Sequence, residues 1–265
     1  MAAPARTLSP ALLSTLWGAA GLLALAGAWQ WGAAAFGPFV LPGLAETGEA
    51  VVRLVTTGKA GPALLATLVH ALAGCAAGGA AGFFLGVAGG LVLPVGAMSY
   101  PVFTALLGTP PIAWVVLALL WFGPGGAAAT FTVAITVAPI LFIATLQGVR
   151  SRDRALAEMA QLYRAPALMR FTDLVLPALA DFLIPAVATA LAFSFKVAVM
   201  AEVLSGADGV GGGIATARSH FDLPETMAWI VLAIAALILA DALLLAPLRR
   251  RRAGRGHPVP VSVEA

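Results

Sequence analysis

Charge and cysteine are both scarce in this sequence, and each scarcity excludes a class of protein. Only 10% of the 265 residues are charged and 61% are hydrophobic, whereas a soluble domain carries about 25% charged residues. The single cysteine, Cys75, excludes an internal disulfide framework and a metal site made of several cysteines. The basic residues lie beside apolar runs rather than on one soluble face, which argues against nucleic-acid binding. The composition predicts a membrane protein that crosses the bilayer several times.

Long apolar runs are abundant. A helix needs roughly 20 mainly apolar residues to cross the hydrocarbon core, and six segments qualify: about 11–31, 64–93, 98–122, 126–147, 178–203 and 226–247. The first segment follows Arg6, as a cleaved signal peptide would, but Trp17 and Trp29 are typical of a membrane interface and favour an uncleaved helix. Thr109-Pro110-Pro111 predicts a break or kink in the third segment. The predicted fold class is an all-α polytopic membrane protein with about six transmembrane helices.

The distribution of basic residues predicts the orientation. With both termini in the cytoplasm, eleven of the fifteen basic residues lie inside and three lie outside, while Lys196 lies within a span. Two segments then face outward. The first, Gly32 to Gly61, could carry a short surface helix, and the second, Ser205 to Glu225, is rich in glycine.

The second apolar segment contains a ladder of glycines, each four residues from the next. Glycines at this spacing allow another backbone to approach closely, because no side chain intervenes. The ladder predicts close packing against a neighbouring span of the same chain, with a seam between two copies as the alternative. Its members are Gly74, Gly78, Gly82, Gly86 and Gly90.

Residues suited to catalysis are few. No group of His, Cys, Asp and Glu has metal-ligand spacing, and we expect no metal site. An intramembrane serine protease would need a serine and a histidine paired at depth, but His70, His220 and His257 lie at or beyond span ends. We therefore expect no catalytic residues. A secondary transporter or channel stays the alternative function, although the sequence has no convincing internal repeat.

One polar segment, 148–177, interrupts the apolar sequence and is predicted to face the cytoplasm. It holds five of the basic and three of the acidic residues, and its apolar residues recur at three- and four-residue steps. This amphipathic pattern predicts helices with a turn at Arg164-Ala165-Pro166. Such helices suit either docking of a soluble partner or anchoring in lipid headgroups.

The segment resembles the EAA loop of bacterial ABC-importer permeases, whose pattern is E-A-A, three residues, G, nine residues, I-x-L-P. Glu158-Met159-Ala160 stands for the beginning of the pattern, and Leu174 with Leu176-Pro177 stands for its end, at the same spacing. Arg164 replaces the glycine of the pattern. Glycine usually accommodates a left-handed helix end, so arginine is expected to cost strain or change the turn.

The resemblance covers roughly residues 60 to 245 in order and points to the nitrate/sulfonate/taurine branch of these permeases. Its other motifs are Gly108-Thr109-Pro110-Pro111, Trp121-Phe122-Gly123, Gln147-Gly148-Val149-Arg150, Ala201-Glu202-Val203-Leu204 and Gly209-Val210-Gly211-Gly212. It implies the type I importer permease fold. Residues 1–62 would form an N-terminal transmembrane helix and outer segment, residues 63–247 a permease core containing the coupling loop, and residues 248–265 a basic cytoplasmic tail. It also implies a multi-pass protein of the bacterial inner membrane that transports a small organic or inorganic anion.

The resemblance further implies the partners and the site residues. The permease would pair with a second copy, receive solute from an external binding protein, and couple to separate cytoplasmic ATPase subunits. Because the sequence has no G-x-x-x-x-G-K-[ST] phosphate loop, ATP and magnesium would bind the partner ATPase and no cofactor would bind this chain. The coupling residues implied are Glu158, Ala160, Tyr163, Arg164, Leu176 and Pro177.

Four further residues are candidates for the solute path: Thr109, Pro110, Lys196 and Glu202. Charges within a membrane are costly and usually face a cavity or a partner. Lys196 could attract an anionic solute, or it could pair with a carbonyl or an acid, or extend its ammonium to the interface. Glu202 is expected near the outer end of its span, where docking and gating are the candidate roles. His70 is interpreted as a packing residue.

Overall fold

The protein is described by a computed structural model for residues 10–151, 154–164, 166, 169, 172–173 and 176–240. The regular secondary structure of these residues is helical, which confirms the all-α prediction. Arg6, Leu174 and the predicted basic tail 248–265 lie outside the described residues. The helices are α1 (Pro10–Phe36), α2 (Leu44–Thr56), α3 (Ala60–Leu91), α4 (Leu93–Gly108), α5 (Pro111–Phe122), α6 (Gly126–Arg150), α7 (Arg154–Leu162), α8 (Leu176–Ser205), α9 (Val210–Ser219) and α10 (Leu223–Ala240).

The number of apolar helices agrees with the six predicted spans. Within the described residues, five helical segments are long and apolar enough to cross a membrane, and α4 with α5 makes a sixth if the pair is one broken span. The bounds differ by a few residues from those predicted. The last predicted span, 226–247, begins earlier, at Leu223, and its residues 241–247 lie outside the described stretch of the chain.

The predicted break in the third span is present. Helix α4 ends at Gly108, α5 begins at Pro111, and their axes meet at 98°. Thr109 has an extended backbone, φ −80° and ψ 127°, because the ring of a following proline disfavours the helical conformation. Pro110 itself cannot donate a helical hydrogen bond. The Thr109-Pro110-Pro111 sequence is therefore sufficient to stop one helix and start another.

The glycine ladder of α3 packs against α6 of the same chain. A Cβ atom built on Gly78 would overlap the backbone of Ala134, and one on Gly82 would overlap that of Ala138. The same atom on Gly74, Gly86 or Gly90 would meet α6 side chains within 3.0 Å. The ladder thus serves contact within one chain, as predicted. This contact places α6 at the centre of the bundle, where Val133, Val137 and Phe142 are fully buried.

The two segments predicted to face outward both contain helices. The first carries the expected short helix, α2, whose Ala50 and Leu54 belong to one buried apolar cluster with Val210 of α9 and Trp229 of α10. The second carries α9, although three consecutive glycines, 211–213, weaken helix formation by about 1 kcal/mol each. Tertiary contacts override this propensity, since a side chain at Gly211 would overlap α8 and one at Gly213 would overlap the Trp229 ring.

Candidate functional site

The polar segment between α6 and α8 presents apolar side chains to solvent. Its helix α7 spans nine residues, Arg154–Leu162. Leu162 and the following Tyr163 are 81% and 77% exposed, and Met159, one turn earlier, is also exposed. Glu158 is exposed beside them, whereas Ala160 is half-buried. Exposed apolar side chains on an otherwise polar helix are typical of a docking surface or of a helix that lies in the membrane interface.

A left-handed residue ends α7. The Tyr163 amide donates to the Met159 carbonyl over 3.0 Å, and Arg164 then takes a φ of 51°. This is the position at which the EAA pattern has glycine. For a residue with a side chain the left-handed conformation costs roughly 1–2 kcal/mol. The turn therefore has a left-handed backbone at Arg164, although glycine is the residue that adopts this conformation most easily.

The shape of this turn gives a test that does not depend on charge. Replacing Arg164 with valine is expected to weaken binding of the soluble partner that the sequence predicts for this segment several-fold, because a β-branched residue is a genuine outlier at positive φ. Replacing it with asparagine or glycine should preserve binding, since both enter the left-handed region readily. Co-purification of the partner with each variant measures the effect. Equal binding by the valine and asparagine variants would show that the turn geometry is unimportant.

The polar segment leaves the bundle at the end of α6 and rejoins it at the start of α8, where these two helices are closely packed. A Cβ on Gly148 of α6 would overlap Leu179 of α8, which shows how closely the two helices meet where the segment leaves and rejoins the bundle. Val149 and Leu179 are buried there. Arg150 donates to the Gly89 carbonyl over 3.1 Å, one of the last carbonyls of α3, which lack partners within their own helix. A displacement of the segment would therefore act directly on α3, α6 and α8.

Leu176 and Pro177, the end of the predicted motif, form the first turn of α8 and are exposed. From them α8 extends for 30 residues to Ser205, with Pro185 inside it, a length of about 45 Å. The predicted coupling residues are thus placed at the C-terminal end of α7 and at the start of α8. Residues 165, 167–168, 170–171 and 174–175 between them lie outside the described residues.

A buried polar cluster lies at the opposite end of α8. Glu202 is 0% exposed, and its carboxylate accepts hydrogen bonds from the Thr67 hydroxyl at 2.8 Å and the Gly211 amide at 3.0 Å. The other carboxylate oxygen lies 2.8 Å from Nδ1 of His70. The Thr67 hydroxyl in turn accepts from the Val210 amide at 2.9 Å. We call Glu202, Thr67, His70 and these two amides the Glu202 cluster.

The sequence indicates Glu202 as a candidate but does not indicate its partners. The interpretation of His70 as a packing residue is incomplete, because its ring contacts the Glu202 carboxylate, and Thr67 is not among the predicted site residues. Both lie on one face of α3, three residues apart. This spacing is a usable signal, because residues i and i+3 share a helix face. The spacing does not show that Glu202 accepts the hydrogen bond of Thr67, because the two residues are 135 positions apart along the chain.

The other path candidates are not brought together with Glu202. Lys196 is exposed on a different face of α8, and among the described residues no carboxylate oxygen lies within 4.0 Å of it. Val115 of α5 packs against Ala201 of α8, and the Gly125 amide after α5 donates to the Ser205 carbonyl at the end of α8 over 3.1 Å. These contacts join α5 and the turn after it to the C-terminal end of α8, which carries Glu202.

Beside the Glu202 cluster lies a cavity of about 650 Å³ between the start of α3, the 206–209 turn and α9. Lys59, Asp208, Thr216 and Ser219 give it a polar rim, and Trp229 contributes to its wall. This end of the bundle is the one opposite α7. The two polar features of the chain therefore lie at the two ends of α8.

A family model matches the sequence of this chain, and solved structures share its arrangement of helices. A family model described as the inner membrane component of binding-protein-dependent transport systems matches residues 78–248. A crystal structure of an amino acid ABC transporter with histidines has a TM-score of 0.60 at 18% identity, covering 75% of this chain and 97% of that one. An inward-facing structure of the MetNI methionine ABC transporter has a TM-score of 0.53 at 18% identity, covering 70% and 91%. No curated protein sequence matches this chain. The two structural likenesses confirm the predicted fold.

Proposed function

Since the chain belongs to the family of inner membrane components of binding-protein-dependent transport systems, we propose that it is the permease subunit of an ATP-driven importer. In this proposal it forms the solute path and couples to a separate ATPase through the segment between α6 and α8. The observation that carries the coupling role is the pair of exposed side chains, Leu162 and Tyr163, at the end of α7. They lie on a segment that joins two closely packed membrane helices, α6 and α8, and Arg150 at the end of α6 also donates to α3.

The proposed coupling is mechanical. Two ATPase subunits, holding ATP and magnesium, would each receive one α7 segment in a groove. Closure of the ATPases would move the two segments together, and α8 would transmit the displacement because it is continuous from Leu176 to Ser205. Such a rigid-body change between two packed arrangements would alternate the path between inward- and outward-open. The chain itself would undergo no chemical step.

The proposed assembly is a dimer of this chain in the bacterial inner membrane, with both termini in the cytoplasm. This orientation is supported by the excess of arginine in the 148–177 segment and the C-terminal tail. It places the Glu202 cluster and the 650 Å³ cavity on the outer side, where an external binding protein would deliver solute. A small anion of the nitrate, sulfonate or taurine type is the proposed substrate, supported by the ordered motifs of that branch and by the unpaired position of Lys196 among the described residues.

Transport assays test the proposed function as a whole. Vesicles containing this chain and its ATPase are expected to accumulate solute only when ATP, magnesium and the binding protein are all present. A secondary transporter or channel would move solute down its own or an ion gradient without the ATPase. Uptake by the chain alone would therefore contradict the proposal.

Glu158 gives a residue-level test of coupling. Replacing Glu158 with alanine or lysine is expected to lower transport-coupled ATP hydrolysis by about tenfold, because an exposed charge that becomes desolvated at a docking contact contributes about 1.4 kcal/mol or more. The assay is ATP hydrolysis by the reconstituted complex with the binding protein present. Glu49→Ala on α2, an exposed acid far from the segment, is the matched control. Full coupling in the Glu158 variants would remove this residue from the mechanism.

A further inference from the structure

The Glu202 cluster has no role in the coupling described above, yet it is the most completely hydrogen-bonded buried polar group among the residues that the structure describes. Each of the two carboxylate oxygens has a partner within 3.0 Å, and the Thr67 hydroxyl both donates and accepts. Burying a carboxylate is costly unless it is hydrogen-bonded in this way. Because burying a carboxylate costs free energy, we expect Glu202 to have a role other than packing.

The cluster fixes the start of α9. The first amides of a helix have no acceptors within the helix, and here the amides of Val210 and Gly211 donate to Thr67 and Glu202. The carboxylate also lies at the positive end of the helix dipole, where a negative charge is favourable. One end of α9 is therefore held by α3 and α8 together.

The glycine turn before α9 is shaped around the same carboxylate. Gly209 has a φ of 142°, a conformation that favours glycine, and a Cβ built on it would overlap the Glu202 carboxyl group. A Cβ on Gly212 would overlap the Ala207 carbonyl. Both glycines line the 650 Å³ cavity. The wall of the cavity is thus built on Glu202, and its rim carries Lys59, Asp208 and hydroxyl groups suited to a hydrophilic protein surface.

We propose that Glu202 and Thr67 are positioning residues that hold α9 and the cavity wall as the docking surface for the external solute-binding protein. This inference rests on the proposed function, which places that end of the bundle outside. Because the anchor lies on α8, contact at the docking surface reaches the helix that begins at Leu176 next to the coupling segment. The occupant of the cavity is a polar loop of the binding protein.

Hydrogen exchange of the intact complex tests the positioning step. Thr67→Val keeps the shape of the side chain but removes the donor to Glu202 and the acceptor for Val210. Exchange of the amides in the segment containing Val210 and Gly211 is expected to accelerate about tenfold, which is a change of about 1.4 kcal/mol. Thr67→Ser restores the hydroxyl and should restore protection. Unchanged exchange in Thr67→Val would overturn the proposal.

A matched control separates this effect from the general loss of a buried hydroxyl. Thr132→Val makes the same substitution at a fully buried threonine on α6, whose hydroxyl donates only to the Ala128 carbonyl of its own helix. Exchange near Val210 should be the same in this control as in the unaltered protein. Acceleration in the control would mean that the segment responds to any loss of packing, and would count against the assigned role.

The docking step is tested by ATP hydrolysis in lipid nanodiscs as a function of added solute-binding protein, purified from the same cells and used as isolated. In Thr67→Val the concentration of binding protein that gives half-maximal stimulation is expected to rise about tenfold, while the maximal stimulated rate changes by less than about twofold. A lower maximal rate at an unchanged half-maximal concentration would overturn the docking role. Failure of the proposed function is distinguishable, because the unaltered complex would then show no stimulation at all.

Discussion

Replacing Leu162 with aspartate is expected to release the ATPase subunits from the permease while leaving the membrane bundle folded. Leu162 ends α7 and is 81% exposed, so the change removes no contact of the bundle core. In the complex the same position would be desolvated, and an unpaired charge there would cost at least about 3 kcal/mol, or about a hundredfold in affinity. The measurement is the amount of ATPase retained when the permease is purified from detergent extracts.

A volume-conserving variant provides the control. Leu162→Met keeps an apolar side chain of similar size, and its cost is expected to stay below about 1.5 kcal/mol. The alternative interpretation, in which α7 only anchors the segment in lipid headgroups, predicts a different result. In that case aspartate at this position would loosen α7 from the bilayer and leave ATPase binding unchanged. Retention of the ATPase by Leu162→Asp would therefore favour the lipid interpretation.

The features that could be predicted correctly from the sequence are those with local causes. The break at Thr109–Pro110 follows from proline chemistry alone, and the structure shows it as a 98° bend. The glycine ladder has a fixed spacing along one helix face, so close packing could be predicted before the partner helix was known. Strain at Arg164 follows from a single departure from the EAA pattern, and the observed φ of 51° shows that the left-handed turn is kept.

The features that the sequence did not reveal depend on residues far apart in the chain. Thr67 and Glu202 are 135 residues apart, and nothing near either residue indicates the other. Helix α9 was not predicted, because local propensity at three consecutive glycines opposes a helix, and the contacts that support it, with Thr67, Glu202 and Trp229, come from distant parts of the chain. Hydropathy placed Lys196 in a span, but it could not show that the side chain is exposed on the face of α8 away from Glu202.

The largest effect on folding is expected at Gly78. Replacing it with alanine would drive the new Cβ into the backbone of Ala134, and a backbone cannot rotate away as a side chain can. Helices α3 and α6 would have to separate along the most tightly packed contact of the bundle. Overpacking of this kind costs about 1–3 kcal/mol or more, which lowers the melting temperature by several degrees in a chain of this length, at about 2–4 °C per kcal/mol. Thermal unfolding of the two proteins in detergent measures this difference in melting temperature.

The neighbouring glycine, Gly79, supplies the control. Gly78→Ala is expected to lower the stability of the protein, whereas Gly79→Ala is expected to leave it unchanged or raise it slightly. A Cβ on Gly79 would meet only Leu141, at 3.9 Å, which is an ordinary contact. Alanine is favoured over glycine in a helix by about 0.5–1 kcal/mol, so Gly79→Ala should be as stable as the original protein or slightly more so. Equal destabilisation by both variants would show that any glycine-to-alanine change in this helix lowers stability, and that the contact between Gly78 and Ala134 is not the cause. A change in oligomeric state without loss of stability in Gly78→Ala would instead support a seam between two copies, and would contradict the packing of α3 on α6.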